Sequence, residues 1–211
     1  KVVLRQPLVG EYHSMKIISA PPSSSGGVVL LEALNILSGY DLSHDSNLMQ
    51  KHFIIEAMRY AYRDRAEYLG DPAFVKMPIK RLLSPYYAAG LRVSILRDKA
   101  TPSSDLAPVA AGAPESHHTT HISILDKDGN RVAATFTVNF RFGSGFMPPH
   151  TGVILNDEMD DFVSKPGVPN GFGLVGNSAN AIAPHKRPLS SMTPTFLETP
   201  HGLAILGTPG G

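Results

Sequence analysis

The order of its elements predicts a layered α+β fold for this chain, with helices in the first half and most strands in the second. Two observations carry the prediction. Between about residues 47 and 69, apolar side chains recur at three- and four-residue steps, which is typical of a long helix. After residue 119, short β-forming runs are separated by turns. Helices that precede strands favour a sheet-and-helix domain over alternating βαβ units.

The first half predicts one strand and three helices. Met15–Ser19 is the strand candidate, and it leads into Pro21–Gly27, a turn whose serines can cap the following helix. Helices are expected at about Val28–Leu37, at about Asn47–Leu69 and, with a weaker pattern, at about Pro85–Leu96.

The long helix has one apolar stripe, formed by Ile55, Met58, Tyr62, Ala66 and Leu69. Such a stripe is typical of the face that a helix turns towards the core. The run Gly70-Asp71-Pro72 is expected to stop this helix.

The second half begins after an irregular stretch. Residues 98–118 are rich in Ala, Pro, Ser and Gly and show no periodicity, and loops of that length are usually functional or mobile. Strands are predicted after it at 120–126, 130–138, 151–155, 193–198 and 203–207.

Composition excludes several classes of protein. The formal charge is +1 and no basic run stands out, so nothing indicates a nucleic-acid surface. Cysteine is absent, which rules out disulfides, thiolate catalysis and Cys-ligated metals. No apolar run reaches transmembrane length. Because both ends read like the middle of a segment, we expect the 211 residues to be a piece of a longer protein.

Thr119 opens the most regular predicted hairpin, directly behind the irregular stretch. A threonine hydroxyl is a poor nucleophile unless a base lies beside it, and a free α-amino group can be that base. Such an amine titrates near about 8 and exists only if the preceding peptide bond is broken. The position therefore fits a self-cleaving N-terminal-nucleophile hydrolase, while an ordinary β-forming threonine remains the alternative.

Several motifs occur in order along the chain. They are Pro21–Gly27, Tyr68-Leu69-Gly70-Asp71-Pro72, Thr119-Thr120-His121, Asp126–Asn130, Asn156–Phe162, Lys186–Thr195 and Gly207-Thr208-Pro209-Gly210-Gly211. With these motifs the sequence resembles the γ-glutamyltranspeptidases over essentially its whole length. The resemblance implies the four-layer αββα sandwich of the N-terminal-nucleophile hydrolases, of which this chain would be a part.

The resemblance also implies a chemistry. The precursor cuts itself between His118 and Thr119, which makes residues 1–118 the end of a large subunit and residues 119–211 the start of a small, catalytic subunit. Thr119 then attacks a γ-glutamyl amide such as glutathione, and water, an amino acid or a peptide resolves the γ-glutamyl ester. No cofactor, metal or nucleic acid takes part. Most bacterial members are periplasmic or secreted, and we expect the same location here.

Nine residues match the family's functional positions. The implied catalytic residues are Thr119, Thr137, Gly210 and Gly211, and the implied substrate contacts are Asn139, Glu158, Asp161, Ser190 and Ser191. Thr137 would orient the Thr119 amine, and the glycines would form the oxyanion hole through their N–H groups. The acids would hold the substrate α-ammonium, while Asn139 and the serines would bind its α-carboxylate. Without the resemblance, Thr137 would be interpreted as an ordinary strand residue, and Asn139, the serines and the glycines as turn residues. The acids would be interpreted as a solvated turn or a cation site.

Two departures from the family accompany the match. The family's substrate-binding arginine lies upstream of this sequence, so we expect the 211 residues by themselves to be inactive. Phe172 stands where some bacterial members have a lid tyrosine that bonds the strand-end asparagine, and we expect a looser lid here.

Other functions remain open on the sequence. A glutaryl (cephalosporin-type) acylase of the same superfamily would act on a substrate without an α-ammonium, against which Glu158 and Asp161 argue. A poly-γ-glutamate hydrolase would need room for a polymer, which a lid-like loop at 166–173 would hinder. A catalytically silent homologue is the alternative from a different class.

Overall fold

A computed structural model of the chain describes residues 2–106, 119–171 and 173–209. The strands are β1 Leu8–Tyr12, β2 Met15–Ser19, β3 Thr119–Leu125, β4 Arg131–Thr137, β5 Thr195–Thr199 and β6 Gly202–Leu206. The α-helices are α1 Gly26–Leu37, α2 Asn47–Tyr68, α3 Ile79–Leu82 and α4 Pro85–Arg92. Single 3₁₀ turns lie at Leu42–His44, Ser103–Asp105, Glu158–Asp161 and Ser178–Asn180. The predicted α+β class is confirmed.

One antiparallel sheet joins the beginning of the chain to its end. Its strand order is β1-β2-β5-β6, so β2 pairs with a strand that lies more than 170 residues later. In this register Ile17 lies opposite Leu197 and Ser19 opposite Thr195. The hydroxyls of Ser19 and Thr195 are 2.8 Å apart, and both residues are buried. The two halves of the sequence therefore share one sheet.

One helix, α1, packs against the β1–β2 part of this sheet, and the other helices pack against α1. α1 contacts both β1 and β2, and it also packs against α2 and α4. The main apolar core lies among these helices and consists of Val29, Ala33, Ile36, Leu37, Phe53, Ala57, Tyr60, Ala61, Ala88, Leu91, Ile95 and Leu106. Within the described residues, no helix is long and apolar enough to span a bilayer.

The predicted apolar stripe of α2 is buried only in part, because Leu69 lies in the core and Tyr62 packs against it, while the first part of the stripe is exposed. Ile55 and Met58 are exposed, at 56% and 38% of their surface, whereas Phe53 and Ala57 are fully buried. The buried face also carries charged groups, among them Glu56, Asp64 and Arg65. A periodicity that counts apolar residues misses this face because buried ionic contacts take the place of part of the apolar stripe.

Other element predictions differ from the structure at their ends or in kind. β1 and the short helix α3 were not predicted, and α4 ends at Arg92 instead of Leu96. Residues 151–155 form no strand. Instead, the Leu155 N–H donates to the Phe146 carbonyl, and the Leu155 carbonyl accepts from the Ser144 N–H. Gly152 has a φ of +68°, which no β-strand accommodates, so this run closes a local loop.

β3 and β4 form a separate hairpin that contacts the sheet through side chains. The Ser123 hydroxyl donates to the Ile205 carbonyl at 3.0 Å, and Arg131 pairs with Glu198. The opposite hairpin face carries Ile122, Ile124 and Phe136, which are 44–59% exposed. The described residues thus supply one helical layer, the sheet and this hairpin of the predicted four-layer sandwich, and the exposed hairpin face is the one that a further layer would cover.

A pair of buried carboxyl groups lies between α1 and α2. Asp64 accepts hydrogen bonds from the Tyr87 hydroxyl at 2.6 Å and from Arg63 Nε at 2.8 Å. Glu32 is fully buried, and neither of its oxygens has a hydrogen-bond partner among the described residues. Burial and the negative charge of the nearby Asp64 raise the pKa of Glu32 to about 10. Glu32 is therefore a neutral carboxylic acid at neutral pH.

This protonation makes stability depend on pH. Because the folded-state pKa of Glu32 lies above its ordinary value, the folded state binds the extra proton, and stability falls as the pH rises from about 4.5 through about 10. We expect Glu32→Gln, which keeps a donor and carries no charge, to flatten this decline. Thermal unfolding between pH 5 and pH 9 measures it, with Glu11→Gln on an exposed strand position as the control. An equally steep decline in wild type and Glu32→Gln would contradict a proton on Glu32.

Candidate active site

The first and last residues of the hairpin bring two threonine hydroxyls together. Thr119 opens β3 and lies opposite Thr137, which ends β4. The Thr119 hydroxyl donates to Thr137 Oγ1 at 3.1 Å. The Thr119 N–H donates to the Pro209 carbonyl at 3.0 Å, which places Pro209, after β6, beside Thr119. A nucleophile candidate and the hydroxyl predicted to orient it are therefore neighbours.

Asn139 turns the chain immediately after β4. It is buried and has a φ of +75°, a conformation that asparagine tolerates better than most residues. Its N–H donates to Thr137 Oγ1 at 2.9 Å, and its side-chain Nδ2 donates to the Asp157 carbonyl at 3.2 Å. Asn139 thereby fixes the acidic segment next to the threonine pair, and one amide hydrogen remains for a further acceptor.

The four acids of that segment face different groups. Asp157 accepts from the Phe140 N–H at 3.0 Å, and Asp160 accepts from the Gly171 N–H at 3.0 Å. Glu158 and Asp161 begin and end one 3₁₀ turn and hydrogen-bond each other. Within the part of the chain that the structure describes, no group of three or more His, Asp or Glu side chains could hold a metal ion. The acids act as loop anchors and as one carboxyl pair.

The carboxyl pair holds protons more readily than isolated acids do. Burial, the charge of Glu158 and their mutual hydrogen bond raise the pKa of Asp161 to about 7, while Arg65 opposes this rise. Burial also raises the pKa of Glu158. Near neutral pH, a cation that approaches this pair would favour the ionised form and gain two carboxylate partners.

Ser190 and Ser191 lie against the Pro21–Gly27 turn. The Ser25 N–H and the Ser25 hydroxyl each donate to the Ser190 carbonyl at 2.8 Å, and the Ser190 N–H donates to the Ser23 carbonyl at 3.1 Å. The prediction that this turn caps the next helix is wrong for Ser25. Although Ser25 precedes α1, its side chain caps no helix N–H, because the hydroxyl is used to hold Ser190.

Two positions that the sequence analysis missed connect these groups. Arg65 donates to the Ser191 hydroxyl at 3.0 Å and acts electrostatically on Asp161. Asn180 donates from Nδ2 to the Asp161 carbonyl at 2.7 Å and accepts from the Leu189 N–H at 3.1 Å. The position of Arg65, three residues before the Tyr68–Pro72 motif, was the available signal for it. Asn180 offered none, because it resembles any loop asparagine.

Two cavities lie beside the serine segment and its hydrogen-bond partners. Arg65, Asp161, Asn180 and Leu189 line a small one of about 10 Å³. An open cavity of about 350 Å³ is bounded by Ser23, Ser24, Ser190 and, from the hairpin, Thr135. Thr135 precedes Thr137 by two residues, so both side chains lie on one face of β4. The larger cavity thus joins the serine segment to the hairpin face that carries the threonine pair.

Hydrogen bonds to seven of the nine predicted residues, or to their chain neighbours Asp157 and Leu189, therefore link the hairpin end, the acidic segment and the serine segment. The remaining two, Gly210 and Gly211, lie outside the described residues, and so do His118 and Phe172. The predicted oxyanion hole, cleavage junction and lid contact stay predictions.

Comparison with known proteins gives consistent matches. A family model described as Gamma-glutamyltranspeptidase matches residues 1–211. The chain is 51% identical over 212 residues to a glutathione hydrolase proenzyme of Pseudomonas sp. strain A14, with 97% of this chain and 36% of that protein covered. It is 46% identical over 216 residues to the glutathione hydrolase proenzyme of Escherichia coli K12, with 100% of this chain and 37% of that protein covered.

A solved structure shares the fold. The cephalosporin acylase from Bacillus halodurans superposes with a TM-score of 0.71 at 29% identity, over 92% of this chain and 32% of that one. With respect to the two proenzymes, the chain spans little more than a third of their length.

The Asn180 bridge has a measurable effect on stability. Asn180→Ala leaves a buried Leu189 N–H and an Asp161 carbonyl without their partners, so we expect a loss of about 1–3 kcal/mol in the free energy of unfolding. Urea titration measures the change. Asn130→Ala, which removes one side-chain hydrogen bond in an exposed turn, is the matched control and should lose about 0.5 kcal/mol or less. Equal losses in both variants would show that Asn180 is no bridge.

Proposed function

This chain belongs to the γ-glutamyltranspeptidase family, and on that premise we propose that it is part of a self-cleaving hydrolase and transferase of γ-glutamyl amides. Residues 1–118 would end the large subunit and residues 119–211 would begin the small one. The observation that carries the proposal is the hydrogen bond between the hydroxyls of Thr119 and Thr137, at the first residue of the strand-rich half. Two relatives named as glutathione hydrolase proenzymes support it.

The first chemical step is self-cleavage. The Thr119 hydroxyl attacks the His118 carbonyl, the acyl group moves from nitrogen to oxygen, and water hydrolyses the resulting ester. The products are a carboxylate at His118 and a free α-amine at Thr119. This amine can then act as the base for its own hydroxyl, a role that the amide nitrogen lacks.

The second reaction is transfer of the γ-glutamyl group. Thr119 Oγ1 attacks the γ-amide carbonyl, its proton passes through the amine to the leaving amine, and a γ-glutamyl ester forms. Water or the amine of an acceptor amino acid or peptide then releases the group. The N–H groups of Gly210 and Gly211, next to the Pro209 that accepts from Thr119, are the proposed donors to the tetrahedral oxyanion.

Substrate choice would rest on the two ends of the γ-glutamyl group. Glu158 and Asp161 form the carboxyl pair for its α-ammonium, and Ser190, Ser191 and Asn139 supply donors for its α-carboxylate. The donor substrates would be glutathione and other γ-glutamyl compounds. A periplasmic or secreted location is proposed on the family resemblance.

A second candidate function is glutaryl acylase activity. The observation that favours it is the likeness to the cephalosporin acylase structure. A glutaryl amide has no α-ammonium, so it would leave Glu158 and Asp161 without a cation. The carboxyl pair therefore favours γ-glutamyl substrates.

Self-cleavage is tested on the full-length precursor by intact-mass spectrometry. We expect wild type to yield two pieces divided between His118 and Thr119, and Thr119→Ala to stay in one piece because it has no hydroxyl to attack the peptide bond. The control is Thr120→Ala, the exposed neighbour on the opposite face of β3, which should still divide. An undivided wild type would remove the amine that the mechanism requires.

The carboxyl pair predicts a pH-dependent Michaelis constant. Because the Asp161 pKa is raised to about 7, its carboxyl gains a proton as the pH falls through 7 and loses its attraction for an ammonium group. We expect the KM of the full-length enzyme for γ-glutamyl p-nitroanilide to rise below pH 7. In Asp161→Asn it should be roughly 10- to 100-fold higher and nearly independent of pH between 6 and 8.

Two controls separate charge recognition from general damage. Asp160→Asn, in the same turn, should keep the low KM of wild type at pH 8, because Asp160 accepts from Gly171. Its pH midpoint should move only slightly downward, since Asp160 is the smallest of the charges that raise the pKa of Asp161. Turnover of glutaryl p-nitroanilide should change little in Asp161→Asn. If instead Asp161→Asn lowers turnover of both anilides equally, Asp161 does not bind the α-ammonium group.

A further inference from the structure

Arg65 is a buried cation whose hydrogen bonds all go to neutral oxygens. It lies in the last turn of α2 and is 7% exposed. Its Nε donates to the Ser25 hydroxyl at 2.9 Å, and one terminal nitrogen donates to the Ser191 hydroxyl at 3.0 Å and to the Leu189 carbonyl at 3.4 Å. Among the described residues, no carboxylate forms an ion pair with it. Buried arginines are usually paired with an acid, so this placement calls for a reason.

The guanidinium decides in which direction the Ser191 proton can go. Since Ser191 Oγ already accepts from Arg65, its own O–H must be donated to another group. Ser25 shows the same rule, because it accepts from Arg65 and donates its proton to the Ser190 carbonyl. The described residues offer no such acceptor to Ser191, which is exposed. Its hydroxyl is thus kept as a donor for an external acceptor, and a carboxylate is the strongest candidate.

The same guanidinium acts on the carboxyl pair. Arg65 and Asp161 line one small cavity. Asp161 feels the charges of Glu158, Asp160 and Arg65, and of these only Arg65 favours its ionised form. Burial and Glu158 still raise the pKa of Asp161, and without the arginine it would lie higher. Arg65 therefore keeps Asp161 available as a carboxylate near neutral pH.

We propose that Arg65 is a positioning residue that prepares both ends of the γ-glutamyl subsite without touching the substrate. Through Ser191 it presents a hydroxyl donor to the α-carboxylate, and through Asp161 it maintains an anion for the α-ammonium. Arg65 precedes the cleavage junction, whereas Ser191 and Asp161 follow it. A large-subunit residue thus sets the selectivity of the small subunit, and this inference rests on the proposed function.

The test uses the full-length precursor and follows the KM for γ-glutamyl p-nitroanilide from pH 5.5 to pH 9. In Arg65→Gln, which keeps an amide donor but loses the charge, we expect the KM at pH 7 to rise roughly tenfold or more. The pH below which KM increases should move upward by about 1 unit, since a nearby opposite charge is lost. kcat should stay within about threefold, because Thr119 and Thr137 are untouched.

Two further variants separate positioning from loss of structure. Arg65→Lys keeps the charge but lacks the fork that reaches Ser25 and Ser191 together, so it should raise KM while the pH midpoint stays near that of wild type. Arg63→Gln removes the neighbouring arginine, which pairs with Asp64 and Tyr87, and should leave the pH midpoint unchanged even if the protein unfolds at lower temperature.

The outcomes distinguish this inference from the function on which it rests. If wild type does not turn over the anilide, the proposed function fails and the inference fails with it. If wild type is active and Arg65→Gln keeps the wild-type KM and pH midpoint, or loses kcat alone, only the role of Arg65 is overturned. A raised KM with the midpoint shifted in Arg65→Gln, and unshifted in Arg65→Lys and Arg63→Gln, establishes it.

Discussion

The buried carboxylate of Asp71 is the contact on which the arrangement of the site depends. Asp71 is completely inaccessible to solvent and accepts hydrogen bonds from the Arg187 N–H at 2.9 Å, from Arg187 Nε at 3.0 Å and from a terminal nitrogen of Arg187 at 3.2 Å. Burial would raise the pKa of Asp71, but these bonds and the Ala73 N–H hold it below its ordinary value. Asp71 must keep Arg187 as its partner, because an unpaired carboxylate in the interior is strongly destabilising. The loop after α2 is therefore fixed to the segment that leads into Leu189, Ser190 and Ser191.

From this anchor, the candidate site is assembled across position 118. The Pro21–Gly27 turn and Arg65 hold the serine segment from one side, and the sheet passes from β2 directly to β5. If the chain is cut before Thr119, these contacts are noncovalent bonds between subunits, and the substrate subsite depends on their persistence. A self-cleaving enzyme of this kind gains the α-amine base for its nucleophile by breaking the backbone, so it needs such contacts to keep the geometry that the backbone no longer enforces.

Two of the errors in the sequence reasoning have one physical origin. The stripe Ile55, Met58, Tyr62, Ala66 and Leu69 was selected because apolar residues usually face the core, yet α2 buries Glu56, Asp64 and Arg65 instead. Each of these charged groups is stabilised by a partner that is distant in the sequence, such as Tyr87 for Asp64 and Ser191 for Arg65. Likewise, Ser25 was predicted to serve the helix next to it, and its hydroxyl serves Ser190 instead. A prediction from local sequence patterns assumes that each side chain finds its partners nearby in the sequence. At these positions the partners are brought in by the tertiary structure.

The α+β class, the presence of the three longer helices and the hairpin that begins at Thr119 could be predicted from the sequence, because they depend on short-range spacing that a single chain displays directly. The candidate residues followed from the resemblance of ordered motifs to a family. Only the tertiary structure decided which face of α2 is buried, that residues 151–155 form a loop, and that Arg65 and Asn180 connect the carboxyl pair to the serines. The physical reason is that burying a polar group is favourable only if it finds hydrogen-bond partners. Arg65 finds Leu189 and Ser191 more than a hundred residues away, and Asn180 finds partners in two loops. No local sequence pattern encodes which of these partners will meet.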